Sequence, residues 1–203
     1  MSTKSHWDKI YKEKSPSEVS WTQEVPVTSI KFLEKFNIDK SSPIIDVGGG
    51  ESRFVDYLVN NGYKNISVLD ISRNAINRVK DRLGKDSENI NWIVSDINDF
   101  NPKIQYSFWH DRAVFHFLTE KKQRDTYINS LKKTLTPKGH AILATFGPNG
   151  PNKCSGLDVM NYDQETLSKE LGEAFVCLGS KIEIHQTPFK TEQEFLYCWY
   201  QRV

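Results

Sequence analysis

Pro43-Ile44-Ile45-Asp46-Val47-Gly48-Gly49-Gly50-Glu51-Ser52-Arg53-Phe54 decides the reading of this chain. Ile44, Ile45 and Val47 suit a strand buried on both faces, as in a parallel sheet. Pro43 fits the first position of that strand, where no ladder donor is lost. Three successive glycines allow positive φ and leave room for a ligand against the backbone. After them Phe54, Val55, Leu58 and Val59 recur at helical spacing. A strand, a glycine turn and a helix make a nucleotide-type pocket at the carboxyl end of a sheet.

The spacing narrows the ligand. A dinucleotide fingerprint needs a third glycine three residues after the second. Counting from Gly48 and Gly50, that place holds Arg53. Asp46, two before the first glycine, suits a cationic ligand better than a phosphate. Asp-x-Gly-x-Gly-x-Ser at Asp46 to Ser52 resembles the first motif of class I S-adenosylmethionine-dependent methyltransferases. The resemblance implies a cofactor with a sulfonium and an ammonium, and S-adenosylhomocysteine as product. The alternative is that Gly48-Gly49-Gly50 is only a flexible turn.

The chain has 203 residues, which suits one domain, 1–203, with 1–40 as an amino-terminal helical cap. Charged residues are 26% and the net charge is +1, which favours neither nucleic acid nor an anionic membrane as partner. There is no bilayer-length apolar run and no signal-peptide core near Met1. Cys154, Cys177 and Cys198 have neither disulfide nor metal-like spacing, so we expect free thiols, a cytoplasmic protein and no metal. Oligomeric state has no signature in the sequence.

Ser5 to Tyr11 reads as a short helix with Ser5 as N-cap and Trp7, Ile10 and Tyr11 on one face. It serves as a packing helix or as a cofactor lid. Trp21 follows in a loop, then a helix from Glu24 to Phe36 with Val27, Ile30, Leu33 and Phe36 inward. Beyond the glycine turn, strands are expected at 65–70, 91–95, 105–110 and 140–146. Helices follow Ser72 and span 123–135. This alternation gives βαβ units and a parallel sheet. A loop at 147–161 and a helix at 163–172 come next. Two strand-like runs, 180–186 and 194–202, form an antiparallel pair.

Asp70 ends the second strand, twenty residues after Gly50, and Asp96 ends the third. A carboxylate at Asp70 can accept from both ribose hydroxyls. One at Asp96 can accept from an adenine amino group, with the next N–H donating to the ring. Each could instead be a turn cap. Asp46, Asp70 and Asp96 stand in the order that class I methyltransferases use. The resemblance implies an α/β, doubly wound, seven-stranded sheet, mostly parallel with an antiparallel last strand. It implies cofactor contacts at Trp7, Tyr11, Trp21, Asp46, Gly48, Gly49, Gly50, Arg53, Asp70, Ile71, Ser95, Asp96, Ile97 and Asp111.

Asp111-Arg112-Ala113-Val114-Phe115-His116-Phe117-Leu118 and Lys153-Cys154-Ser155-Gly156-Leu157, with Ser20-Trp21 and His6-Trp7, are similar to a subgroup. It includes the citrate synthase lysine methyltransferase and bacterial relatives. The chain lacks an evident transit peptide. It also lacks the Asn/Asp-Pro-Pro-Tyr/Phe string after strand four that serves planar-amine methylation.

Methyl transfer from a sulfonium is an in-line displacement, and holding the reactants in line supplies much of the acceleration. A base is needed only if the nucleophile arrives protonated. Asp111, expected just past strand four, and His116 are the candidates for substrate contact or proton removal. The alternative is that Asp111 pairs with Arg112 or caps a turn and that His116 packs. His110, on a buried strand, reads as structural. The expected reaction is methyl transfer to a small-molecule or protein side-chain acceptor, with lysine among the side chains. The competing readings are a catalytically inactive cofactor-binding scaffold and a nicotinamide-dependent oxidoreductase. Trp7, Tyr11, Trp21, Asp111, Arg112, His116 and Cys154 are expected around one acceptor pocket. Arg112 there pairs with an acceptor carboxylate or with Asp111.

Overall fold

The computed structural model describes residues 3–203. Strands β1 (Ile44–Val47), β2 (Ile66–Asp70), β3 (Asn91–Val94), β4 (Tyr106–Arg112) and β5 (Leu135–Phe146) run parallel to one another. Lys153–Cys154 (β6) and Leu157–Asp158 (β7) pair as a separate small hairpin in the loop after β5. The chain ends with β8 (Phe175–Gln186) and β9 (Glu192–Arg202). The seven-stranded sheet has the order β3-β2-β1-β4-β5-β9-β8, and β9 is antiparallel to both its neighbours. The doubly wound architecture and the antiparallel last strand therefore match the expectation.

Helices cover both faces. On one side α2 (Val27–Lys35), α3 (Phe54–Asn60) and α4 (Arg73–Leu83) pack Phe32, Leu33, Phe54, Leu58, Ile76 and Val79 against Ile44, Phe108 and Tyr197. On the other, α5 (Lys121–Thr134) and α6 (Gln164–Leu171) pack Tyr127, Leu131 and Leu167 against Ile45, Val47 and Trp109. Successive strand residues point to opposite faces, and each short strand thereby feeds two cores. The strand order reverses between β1 and β4, where an open α/β sheet leaves a crevice at its carboxyl edge.

Several boundaries depart from expectation. The first helix, α1 (Thr3–Glu13), already includes Ser5, which is therefore not its N-cap. α2 begins three residues later than expected, and Val27 is 47% exposed while Thr28 and Ser29 are buried. Those two polar residues face inward because they meet partners there, Glu183 for Thr28 and His110 for Ser29. Pro137-Lys138-Gly139 lies within β5, where the pairing with β4 shifts register.

The largest correction is at β4. It continues through Asp111 and Arg112, which pair with Leu143 and Ala144. Asp111 is thus inside the strand. Neighbours in a strand face opposite ways, so Asp111 meets Tyr127 of α5 while Arg112 meets Tyr197 on the other face.

Candidate active site

The glycine turn is held from below by β2. The N–H groups of Gly48 and Gly49 donate to the carbonyl of Leu69 at 2.7 and 3.1 Å. Gly48 has φ +67°, and a Cβ there would lie 2.0 Å from Val114. Gly50 has φ +41°, and its Cβ would lie 2.7 Å from the Tyr11 hydroxyl and 3.2 Å from Asp70. Only glycine lets Val114 and Tyr11 pack this closely on the turn. Val114 reaches it because Ala113 turns the chain at the end of β4 with φ +70°, a strained value for alanine.

Asp46 is 1% exposed; its Oδ1 is 2.7 Å from His110 Nδ1, and its Oδ2 is buried with no partner among the described residues. His110 Nε2 is 2.8 Å from Ser29 Oγ, and the ring lies on Phe54 at 4.3 Å. Asp70 accepts from the Ser72 N–H at 2.7 Å, and Ser72 caps α4 by accepting from Ala75. Burial pushes the Asp70 carboxyl up to about 7 against the pull of the Ser72 and Gly50 N–H groups. Asp96 accepts from the Asn98 N–H at 2.9 Å and its side-chain amide at 3.0 Å, opening a short 3-10 turn.

These groups line two clefts that share a wall. The first encloses about 880 Å³, counting its open mouth. It runs from Gly48 past Asp70 and Ile71 to Ser95, Asp96 and Ile97, and is roofed by Trp7, Tyr11, Trp21, Phe117 and Cys154. The second is wider and includes Asp46, Gly49, Arg53, His110, Glu183 and His185. Both contain Gly48, Tyr11, Trp21 and Arg112. The roof is an aromatic cluster: Trp7 lies 5.6 Å from Trp21, 5.2 Å from Phe117 and 6.1 Å from Tyr11. Arg53 faces the second cleft half-exposed and is 3.6 Å from Asp56.

Two expected residues lie elsewhere. Asp111 is 0% exposed, accepting from Tyr127 at 2.6 Å and the Val114 N–H at 3.0 Å. Burial raises its carboxyl to about 6 against the Tyr127 bond. His116 is also 0% exposed; its Nδ1 accepts from the Phe146 N–H at 3.0 Å, and its ring packs 4.5 Å from Phe146. Burial drives it down to about 3, with the Arg112 charge adding to the effect. Neither lines either cleft. Trp7, Tyr11, Trp21, Arg112 and Cys154 come together in the first cleft without them. Conversely, Val114, Asn98, Gln123, Glu183 and His185 line the clefts without having been singled out. Val114 stands in a string already quoted, whereas the others carry no sequence signal.

The sheet order and the glycine turn are those of the Rossmann-like methyltransferase fold. Residues 44–139 match the family model described as a methyltransferase domain. The chain is 34% identical over 164 residues to malonyl-[acyl-carrier protein] O-methyltransferase 2 of Ilyobacter polytropus, covering 75% of this chain and 62% of that one. It is 26% identical over 162 residues to EEF1A lysine methyltransferase 2 of Mus musculus, covering 71% and 66% respectively. It thus spans less than two-thirds of the length of these two relatives. A S-adenosylmethionine-dependent methyltransferase of Anabaena variabilis shares the fold, with a TM-score of 0.75 at 15% identity over 100% of this chain and 96% of that one. Residues 44–139 thus carry a methyltransferase domain, and the chain is similar to S-adenosylmethionine-dependent methyltransferases.

The cofactor of that family, S-adenosylmethionine, fits this site. The orphaned Asp46 Oδ2 answers an ammonium, and Gly48 and Gly49 line the same cleft as Asp46. The wall carboxylates Asp46, Asp70 and Asp96 would repel a pyrophosphate.

Proposed function

We propose that this chain transfers the methyl group of S-adenosylmethionine to a small-molecule or protein side-chain acceptor. We further propose that transfer occurs where the two clefts meet. The observation that carries this reading is their shared wall of Gly48, Tyr11, Trp21 and Arg112. The first cleft then takes the nucleoside, with Asp70 accepting from the ribose hydroxyls and Asp96, Ser95 and Ile97 around the adenine beside Ile71. The methionine part lies over Gly48, Gly49 and Gly50 toward Asp46 and Arg53. The acceptor comes through the second cleft.

S-adenosylmethionine supplies the methyl group by in-line displacement at its sulfonium. The chain supplies orientation, and Trp7, Tyr11, Trp21 and Phe117 keep water from the reacting atoms. We assign Asp111 and His116 to holding the turn after β4 rather than to proton transfer, since both are buried away from the clefts. A nucleophile that is already anionic or neutral then needs no base from this chain. The two relatives are named for an oxygen and a lysine acceptor, which supports keeping both classes.

We read residues 1–203 as one domain in which Trp7, Tyr11 and Trp21 of the amino-terminal segment provide the roof. No helix among the described residues is long and apolar enough to cross a membrane, and the three cysteines are free. Free thiols support a reducing, cytoplasmic setting. The test is an assay with methyl-labelled S-adenosylmethionine and cell extract split into small-molecule and protein fractions. Label in one fraction supports the reading and names the acceptor class. No label in either, with the cofactor bound, favours the scaffold alternative.

A further inference from the structure

Arg112 ends β4 on the wall common to both clefts. Its Nε donates to the Tyr197 hydroxyl at 3.0 Å and its Nη1 to the Trp21 carbonyl at 2.8 Å. The guanidinium lies over Phe195, 4.4 Å from the ring centre. These contacts fix the fork. The remaining nitrogen, Nη2, is shielded from water and meets no acceptor among the described residues.

Among the described residues the charge also lacks a counterion within 4 Å. Arg53, Arg78, Arg82 and Arg124 each stand within 4 Å of a carboxylate, whereas no ion pair includes Arg112. Asp111 faces the opposite side of the sheet. Glu183 is reached only through Tyr197, whose hydroxyl is 3.4 Å from it, and that carboxylate is already held by Gln23 and Thr28. A guanidinium stays charged in a protein, and a shielded one without a partner is costly to hold. After burial, the Arg112 charge is the next cause that depresses His116 and His185.

We propose that Arg112 is the carboxylate receptor of the acceptor site: the methyl acceptor is an organic acid, anchored by its carboxylate on Arg112 where the clefts meet. This rests on reading the clefts as a methyl-transfer site. A planar fork with two positions fixed and one free matches a carboxylate oxygen better than an ammonium, which it would repel. The cofactor's own α-carboxylate has the same chemistry, so the experiment separates the two sources.

The full chain and its Arg112→Gln and Arg112→Lys variants are titrated calorimetrically with S-adenosylhomocysteine and with methylthioadenosine, which lacks the amino-acid part. Phenylacetate and its neutral amide are then titrated into the S-adenosylhomocysteine-loaded proteins. The expected result is that any change in affinity falls equally on both nucleosides. Phenylacetate should bind the wild type and prefer it to Arg112→Gln by about tenfold, the loss of one charge-assisted hydrogen bond. Arg112→Lys should recover part of this, and the amide should show no preference. Loss of S-adenosylhomocysteine affinity with methylthioadenosine unaffected overturns the proposal and gives Arg112 to the cofactor. Equal phenylacetate binding by wild type and Arg112→Gln, or none by the wild type, also overturns it. If Arg112→Gln does not fold, discrimination of phenylacetate from its amide by the wild type, retained in Arg112→Lys, decides. Failure of the wild type to bind S-adenosylhomocysteine instead sinks the methyltransferase reading itself.

Discussion

Asp8 of α1 accepts a 2.7 Å hydrogen bond from the Ser72 hydroxyl, while the N–H of the same serine donates to Asp70 at 2.7 Å. The roof of the first cleft is thus latched to the residue that orients its proposed ribose carboxylate. Asn74 adds a 2.8 Å bond to the Asp8 carbonyl, and Arg78 reaches the Lys14 carbonyl at 2.6 Å. Replacing Asp8 with Ala should free α1 without touching either core. Proteolysis within residues 3–14 should accelerate, and S-adenosylhomocysteine affinity should fall several-fold while thermal stability changes by about 1 kcal/mol or less. Unchanged proteolysis and affinity would show that the latch does not hold the roof.

Asp70 carries the ribose prediction. Its replacement by Ala removes two charge-assisted hydrogen bonds, each worth roughly 1.5–3 kcal/mol. Calorimetry should record at least about a tenfold loss of S-adenosylhomocysteine affinity in a folded variant. An unaltered affinity would make Asp70 a turn residue only.

The same carboxylate gives a pH signature. Its folded value, about 7, lies above the ordinary carboxylate value, so the folded protein favours the protonated form. That contribution is fully present below about pH 4 and is lost as pH rises through about 7. Asp70→Asn mimics the protonated form. It should therefore melt higher than wild type at pH 8 and equally at pH 4, in the absence of cofactor. Ribose hydroxyls donate more strongly to the ionised form, which has both oxygens free to accept, so wild-type affinity should weaken as pH falls below about 7. A melting difference that grows toward acid would contradict the assignment.

His116 separates packing from catalysis. Removing its ring leaves the Phe146 N–H without an acceptor, at a cost of roughly 1–3 kcal/mol. His116→Ala should lower the melting temperature while leaving S-adenosylhomocysteine affinity within about twofold. A shift in the pH profile of methyl transfer without a stability loss would restore His116 as a proton carrier.

The sequence carried the sheet because its signals were regional. Alternating apolar runs and the strand-end acids Asp46, Asp70 and Asp96 each drew on several neighbouring residues. Asp111 and His116 were judged on single residues, and burial is not written at one position. A charged pair, Asp111-Arg112, reads as the start of a loop, yet the β5 ladder extends two residues further and splits the pair across the sheet. The second cleft was invisible for a different reason. It joins residues 16–27 to 183–188, segments brought together only by the closing of β8 and β9. Val27 was expected inward on helical period alone, which carries no information about the partners that draw Thr28 and Ser29 in.

Calorimetric titration of the full chain with S-adenosylhomocysteine and, separately, with NAD tests the account most directly. The account predicts a single site for S-adenosylhomocysteine, weakened by Asp70→Ala, and no heat from NAD. Binding of NAD with no response to the adenosyl compound would contradict it.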